Sequence, residues 1–343
     1  MNNFTYYQPT QLQHALPLLE ERWGVAELLA GGTDLLDRLK DYVSSPQRVI
    51  SLTAIQGPFR EISAIPTVGG GPPRVTIGAG VKLADIAESK LLQDYPALTT
   101  AAAQIAGPQI RNMGTLGGSL CQRNRCWYFR DEHTQCLLKG GRKCYAQEGE
   151  NQFHAIFTQG HPCVMVHPST LAPPLIALQA TAQIVGPRGT REVPLEKMFQ
   201  APSKPDQREH TLAPNEILLS VTFGGINLPA GTRLASANYE VKQKETSDWP
   251  LVQAAVAFVL SPQGNRASRV RVVLGHVAPV PLLSPEAAQE LEGKEVNETT
   301  ATAAAEAAVA GARPLSQNAY KVPMLKAAVK RAILLAAGFK PYW

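Results

Sequence analysis

All five cysteines of this 343-residue chain fall between positions 121 and 163. Four of them run Cys126-x9-Cys136-x7-Cys144-x18-Cys163, with Cys121 five positions ahead of the first. Free thiols serving only as small core residues would be scattered along the chain, so buried thiols explain the residue type but not the clustering. Four soft thiolates that fold back on one centre can ligate an iron-sulfur cluster. They can also hold zinc tetrahedrally, although zinc sites usually come as paired short knuckles of two to four intervening residues, which this segment lacks. A disulfide network would leave one cysteine over. Spacers of nine, seven and eighteen residues permit a bulky cluster. Gly140-Gly141 offers a tight reversal between the second and third thiols, and Arg125, Arg142 and Lys143 stand beside ligand positions where they can offset thiolate charge.

A glycine run precedes the cysteines, Gly114-Thr115-Leu116-Gly117-Gly118. Gly114, Gly117 and Gly118 allow positive φ and let backbone N–H groups approach an anion with no Cβ in the way. A similar stretch lies upstream, Leu28-Leu29-Ala30-Gly31-Gly32-Thr33-Asp34-Leu35, between an apolar strand and a helical pattern. Two amide-lined loops can hold the two phosphates of a dinucleotide between them. Neither is a G-x-G-x-x-G or a Walker A sequence, which disfavours a Rossmann or P-loop reading. The seven histidines show no paired metal-ligand spacing and no Ser/His/Asp order emerges, so hydrolase chemistry has no support.

The elements that must position these residues follow from periodicity. Phe4 to Tyr7 reads as a strand, Pro9 to Arg22 as a helix ended by Gly24, Val25 to Ala30 as a strand, Asp34 to Tyr42 as a helix with Leu35, Leu36 and Leu39 inward, and Arg48 to Leu52 as a strand: a small βαβαβ unit. Strands at Glu61 to Ile65 and Arg74 to Ile77 flank a turn at Gly69-Gly70-Gly71-Pro72-Pro73 and predict a hairpin. Helices are expected over Leu83 to Leu91 and Tyr95 to Ala106, the second stopped by Gly107-Pro108 before the glycine loop. After the cysteines come a helix at Leu171 to Ala180 and strands at Ala182 to Val185, Thr190 to Val193 and Ile217 to Phe223, with Ser203 to Thr211 as an exposed linker. From Leu234 the pattern is strands at Ser236 to Lys242, Val252 to Leu260 and Arg269 to Val277, then helices at Pro285 to Leu291, Thr300 to Ala310 and Lys321 to Ala337. It predicts a three-stranded sheet with helices packed on one face.

The length supports two or three domains, each able to bury a core. With 44% hydrophobic and 18% charged residues and no apolar run long enough to span a bilayer, a membrane-spanning reading is dropped. The formal charge of +5 is modest and the basic residues are dispersed, so nucleic acid is not an expected partner. The first residues, Met1-Asn2-Asn3-Phe4-Thr5-Tyr6-Tyr7, form neither a basic nor an apolar leader region, and exposed thiolates favour a reducing compartment; the expectation is cytoplasmic.

Ala30-Gly31-Gly32-Thr33-Asp34 together with Gly114-Thr115-Leu116-Gly117-Gly118 resembles the FAD-binding medium subunits of molybdenum hydroxylases, the xanthine dehydrogenase and carbon monoxide dehydrogenase group, nearly end to end. The cysteine segment narrows the resemblance to the flavin subunits of 4-hydroxybenzoyl-CoA reductase and periplasmic aldehyde oxidoreductase, which carry an extra 4Fe-4S cluster. It implies an α+β fold: an FAD-binding subdomain at 1–57, a mixed α+β second subdomain at 58–230 carrying the cluster loop 121–163, and a C-terminal flavoprotein domain at 231–343. It implies FAD contacts from Leu28 to Leu35 and Gly114 to Gly118, from Leu218 against the flavin and from Lys242 near the isoalloxazine, where a cation would stabilise anionic reduced flavin. Read from the residues alone, Lys242 is equally a lysine on a solvated strand edge. Thr170 stands where such subunits commonly have Asp; it can hold the flavin by one hydrogen bond or serve as helix N-cap before Leu171. Cys126, Cys136, Cys144 and Cys163 match the cluster ligands, and Cys121 matches a residue lining the flavin loop. The implied partners are a large molybdenum-cofactor subunit and a small 2Fe-2S subunit; export on a partner's leader is compatible with the resemblance. Two alternatives stay open, a stand-alone FAD oxidoreductase with a structural zinc loop and a non-catalytic assembly module. Substrate, acceptor and direction of electron flow are not written in the sequence.

Overall fold

The computed structural model of the chain describes residues 1–67, 71–243, 248–262 and 265–340. Its N-terminal unit runs β1 (Thr5–Tyr7), α1 (Leu12–Ala15), β2 (Ala26–Leu29), α2 (Leu35–Lys40) and β3 (Arg48–Ser51). The three strands pair in parallel in the order β1-β3-β2, and parallel neighbours need the crossover connections that α1 and α2 supply. The helix expected over Pro9 to Arg22 is shorter: α1 gives way to a 3-10 turn at Leu16–Leu18, where Pro17 has no N–H to continue an α ladder. In α2 Leu35 and Leu39 are buried against Val49, but Leu36 points outward and Arg38 takes the inward position because two carboxylates meet it there.

The second region opens with the hairpin β4 (Ile62–Ile65) and β5 (Arg74–Gly78); Gly69 and Gly70 of its expected turn lie outside the described residues. It continues through α3 (Leu83–Glu88), α4 (Pro96–Gln104), α5 (Pro108–Met113), α6 (Leu116–Cys121), α7 (Trp127–Arg130), α8 (Ala172–Ala177), β6 (Thr181–Gly186), β7 (Gly189–Pro194) and β8 (Ile217–Gly224). The strands form an antiparallel sheet in the order β4-β5-β8-β6-β7. Val75, Ile77, Ala182, Ile184, Val221 and Phe223 alternate onto the face buried under the helices, while Thr76, Gln183, Ser220 and Thr222 share the other. α4 stops before Gly107-Pro108 as expected, but Pro108 then opens a further helix, since a first helical residue needs no N–H partner. The second glycine run is also helical rather than a loop, capped by Thr115, whose Oγ1 accepts from the Gly118 amide at 3.1 Å.

The C-terminal region carries β9 (Arg233–Lys242), β10 (Pro250–Leu260), β11 (Ala267–Gly275), β12 (Leu282–Leu283), α9 (Pro285–Leu291), α10 (Glu298–Val309) and α11 (Lys321–Ala337). The sheet has four antiparallel strands, β12-β11-β10-β9; the two-residue β12 is too short to leave an alternation in the sequence. Ala254, Val256, Phe258 and Leu260 of β10 face α10 and α11, whereas Ala257 and Val273 face the core of the second region. Burial on both faces is why β10 reads as a nearly continuous apolar run. None of the described helices is long and apolar enough to cross a membrane.

Candidate functional site

A cavity of about 360 Å³ opens between the β2–α2 turn, the N-terminal end of α6 and the β9 edge of the C-terminal sheet. Leu28, Ala30, Gly31, Gly32, Thr33, Asp34, Leu35, Gly114, Thr115, Gly117, Gly118, Thr170, Leu218 and Lys242 line it. Leu29 and Leu116 do not: the first packs against Leu35, Leu39 and Val49, and the second is fully buried in the main core. The two glycine stretches touch each other directly. A Cβ on Gly31 would stand 2.0 Å from the Met113 carbonyl oxygen, and one on Gly117 2.9 Å from the Ala79 Cβ. Positive φ, expected at Gly114, Gly117 and Gly118, occurs instead at Gly32, with φ 78°. Closeness rather than handedness therefore demands glycine at 31 and 117.

The amides also differ from expectation. Leu116 N donates to Val81 O at 2.9 Å and Gly117 N to Ala79 O at 2.8 Å, so the second stretch uses its N–H groups internally. Those of Gly31, Gly32 and Thr33 meet no acceptor among the described residues and remain available to an anion.

Charged residues that the periodicity did not single out complete the cleft. Asp34 accepts from Arg38 Nε at 3.1 Å and Arg130 Nη2 at 2.6 Å, with Arg125 Nη2 at 3.2 Å. Burial alone would raise its pKa, but Arg38, Arg130 and Arg125 outweigh that and hold it down to about 2. Glu27 takes the far side of Arg38 at 3.3 Å. Glu209, wholly buried, accepts from Asn124 N at 2.9 Å and Asn124 Nδ2 at 2.8 Å and sits 2.8 Å from Arg123 Nε. Arg208 stacks over Trp23 at 4.6 Å, and burial with the neighbouring Arg123 lowers its pKa to about 9. Of the expected linker at 203–211, Lys204 to Asp206 are exposed, but Arg208, Glu209 and His210 are buried, Glu209 held by Arg123, Arg208 stacked on Trp23 and His210 by its bridge to Phe199. Arg123 Nη2 and Arg125 Nε are buried with no hydrogen-bond partner, in the wall of a cleft that holds free amides. Orphaned guanidinium donors beside unpaired N–H groups fit a pyrophosphate.

At the other end of the cleft, the Lys242 side chain is only 7% exposed, 3.1 Å from Glu240 Oε2 and donating to the Gln104 carbonyl, so it is not on a solvated edge. Leu218 is buried against the cavity. Thr170 does not cap α8; its Oγ1 lies 3.3 Å from His276 Nε2, and its carbonyl accepts from Gln253 Nε2 at 2.8 Å. Cys121 lines this cleft, where burial pushes its thiol up to about 12.

The other four cysteines line a separate small void walled by Tyr128, Phe129, Leu138 and Ala146. Cys136 and Cys163 pack with Phe129, Leu138 and Met165. Gly140, with φ 90°, and Gly141, whose Cβ would stand 1.7 Å from the Gln135 carbonyl oxygen, make the expected reversal, closed by Gly141 N donating to Cys136 O at 2.9 Å. Burial pushes the Cys126 thiol up to about 12. Cys144 and Cys163 lie close enough to interact, and the neighbouring thiol holds Cys144 below the ordinary thiol range and pushes Cys163 well above it. Of the three cations expected beside the thiols, Arg125 turns to Asp34 instead, Lys143 lies over the Tyr145 ring at 5.0 Å, and Arg142 is exposed. Among the described residues no three His, Cys, Asp or Glu side chains converge tightly enough to hold one metal ion. His154 Nε2 lies 3.2 Å from Cys126 Sγ; burial and the nearby Lys321 charge lower its pKa to about 4. Lys321 is itself buried, its Nζ donating to the carbonyls of Phe153 (3.4 Å), His154 (3.1 Å) and His276 (2.7 Å), and burial lowers its pKa to about 7.

Comparison with known proteins places this architecture. Residues 2–223 match the FAD binding domain in molybdopterin dehydrogenase, and residues 237–336 match the CO dehydrogenase flavoprotein C-terminal domain. The chain belongs to the molybdopterin-dehydrogenase FAD-binding family, and its cofactor is FAD. Its relatives include the aldehyde oxidoreductase FAD-binding subunit PaoB of Escherichia coli, 30% identical over 95% of this chain and 96% of that one. The carbon monoxide dehydrogenase medium chain of Hydrogenophaga pseudoflava is 30% identical over 96% of each. A solved structure of carbon monoxide dehydrogenase from the same organism superposes with a TM-score of 0.72 at 28% identity, covering 98% of this chain and 97% of that one. The α+β fold and the family expected from the two glycine stretches are those found.

Proposed function

We propose that the chain is the FAD and 4Fe-4S electron-transfer subunit of a molybdenum hydroxylase-type complex. It passes electrons between FAD and iron-sulfur centres while an aldehyde, purine or aromatic substrate is oxidised or reduced on a large molybdenum-cofactor subunit, with a small 2Fe-2S subunit as second partner. The observation that carries this reading is the sorting of the thiols: Cys126, Cys136, Cys144 and Cys163 share one void, and Cys121 lines the flavin cleft. When bound, FAD supplies two-electron chemistry and an iron-sulfur cluster one-electron transfer. The chain's own residues bind and orient. Gly31 to Thr33, Arg123 and Arg125 receive the pyrophosphate, and Leu218 and Lys242 flank the redox-active ring. Glu27 and Asp34 are engaged as carboxylates by arginines, which leaves them unsuited to proton abstraction and favours a partner-dependent reaction over a stand-alone oxidoreductase. Four thiols that line a common void but lack the paired short spacings usual for zinc favour a polynuclear cluster over structural zinc. The reading takes 1–57, 58–230 and 231–343 as the working units and the cytoplasm as the place of assembly, since unpaired thiols suit a reducing compartment.

Iron and acid-labile sulfide analysis of wild type and single Cys→Ser variants tests it. About four irons per chain are expected, lost in the variants at 126, 136, 144 and 163 and kept in Cys121→Ser. Stoichiometric zinc without sulfide would sink the cluster, and iron loss at Cys121 with retention at Cys163 would overturn the choice of ligands.

A further inference from the structure

The flavin cleft makes no use of His154, a buried imidazole whose Nε2 lies 3.2 Å from Cys126 Sγ. Its other ring nitrogen, Nδ1, is buried and meets no partner among the described residues. A neutral imidazole carries one proton. On Nδ1 that proton would be an orphaned buried donor, and the Nε2 lone pair would face the lone pairs of a ligating thiolate; on Nε2 it forms a hydrogen bond to sulfur. The ring is held in place from several directions. Trp127 packs edge-on at 5.7 Å and Tyr128 tilts against it at 6.5 Å. The His154 carbonyl accepts from Asn318 Nδ2 and Lys321 Nζ, each at 3.1 Å, so the C-terminal region fixes the backbone that carries the ring.

We propose that His154 is a positioning residue for the cluster: its Nε2–H donates to the Cys126 sulfur and raises the cluster's reduction potential. The inference rests on the 4Fe-4S reading above. Reduction adds negative charge that spreads onto the ligating sulfurs, so a donor aimed at one of them stabilises the reduced state more than the oxidised state. The same bond fixes the rotamer of Cys126, the first ligand to follow the flavin-side segment.

The test is a redox titration of the complete complex, purified anaerobically and followed by the electron paramagnetic resonance of the reduced cluster. His154→Phe keeps an aromatic ring without a donor, and His154→Gln restores an N–H near the same place. Expected are wild-type iron, sulfide and FAD in both variants, a lower cluster potential with altered g values for His154→Phe, and partial return for His154→Gln. A loaded cluster with unchanged potential and spectrum in His154→Phe would overturn the proposal while leaving the cluster reading intact. Wild-type protein without iron and sulfide would overturn both. Loss of the cluster from both variants in a chain that keeps its FAD would make His154 an assembly requirement instead, and would also overturn it.

Discussion

The flavin cleft and the cysteine pocket lie next to each other and are built on opposite plans. The flavin cleft draws its wall from residues as far apart as Leu19 and Pro250 and is crossed by a lattice of buried charges. The cysteine pocket comes from one stretch, Asn124 to Cys163, and is walled by aromatic and aliphatic side chains. An anion site needs donors that are fixed before the anion arrives, and Glu27, Asp34 and Glu209 fix the arginines while leaving Arg123 Nη2 and Arg125 Nε unsatisfied. A thiolate site needs the reverse, a dry enclosure in which few groups compete for the ligands. Arg125 and Arg130, which flank Cys126 in sequence but bond to Asp34, tie one plan to the other.

Removing that tie should give the largest effect. Asp34→Asn leaves three guanidiniums without their common carboxylate, and breaking a buried ion-pair network by one partner costs about 3–5 kcal/mol. Urea denaturation should show a loss of that order, with FAD and iron both reduced; full iron with no FAD would show that the two sites are independent. Gly31→Ala sharpens the contrast. Its Cβ would press into the Met113 carbonyl, a backbone clash worth about 1–3 kcal/mol, and at least a tenfold weaker FAD affinity should appear in equilibrium dialysis with iron content untouched.

Acid should act first through the histidines beside the cleft. Burial holds His210 near 4 and His167 near 3, both below the ordinary 6.5. Below pH 6.5 the unfolded chain takes up protons that the folded chain refuses, so stability present at neutral pH falls by up to about 1.4 kcal/mol per pH unit for each histidine. Asp34, held down to about 2, adds a further loss only below about pH 4. A urea midpoint that declines steadily from pH 6.5 to 4 is expected, and a flat one would contradict these burials. The smallest effect is expected at Lys242. Lys242→Met should keep FAD bound but lower the flavin potential, as the proposed place of Lys242 beside the ring requires; an unchanged potential by dye-linked titration would remove Lys242 from the flavin's surroundings.

The same contrast explains what the sequence made legible. The cysteine pocket is nearly contiguous, so spacing showed the thiols clustered and Gly140-Gly141 marked its reversal, while the family resemblance picked out Cys126, Cys136, Cys144 and Cys163 and set Cys121 apart. The glycine stretches were visible for a similar local reason, although the reason for glycine at 31 and 117 is a neighbouring chain that spacing does not reveal. Arg123, Arg208 and Glu209 were not legible, because their charge reads as solvent-facing until Trp23 and Asn124 are brought over them by the fold. Helix ends followed the same rule. α11 was bounded as found, by its own length and Gly338, whereas α1 and α6 depend on Pro17 and on the Thr115 cap.

Lys321 orders events in time as well as in space. The carbonyls it holds belong to residues up to 168 positions earlier, including the one beneath the ring that faces Cys126. During synthesis the whole cysteine segment leaves the ribosome before the ammonium that anchors it has been made. The thiols therefore spend that interval open and exposed. The pocket around the thiols can be completed only when the last helix has docked, which makes the C-terminal region the timer of that pocket's closure.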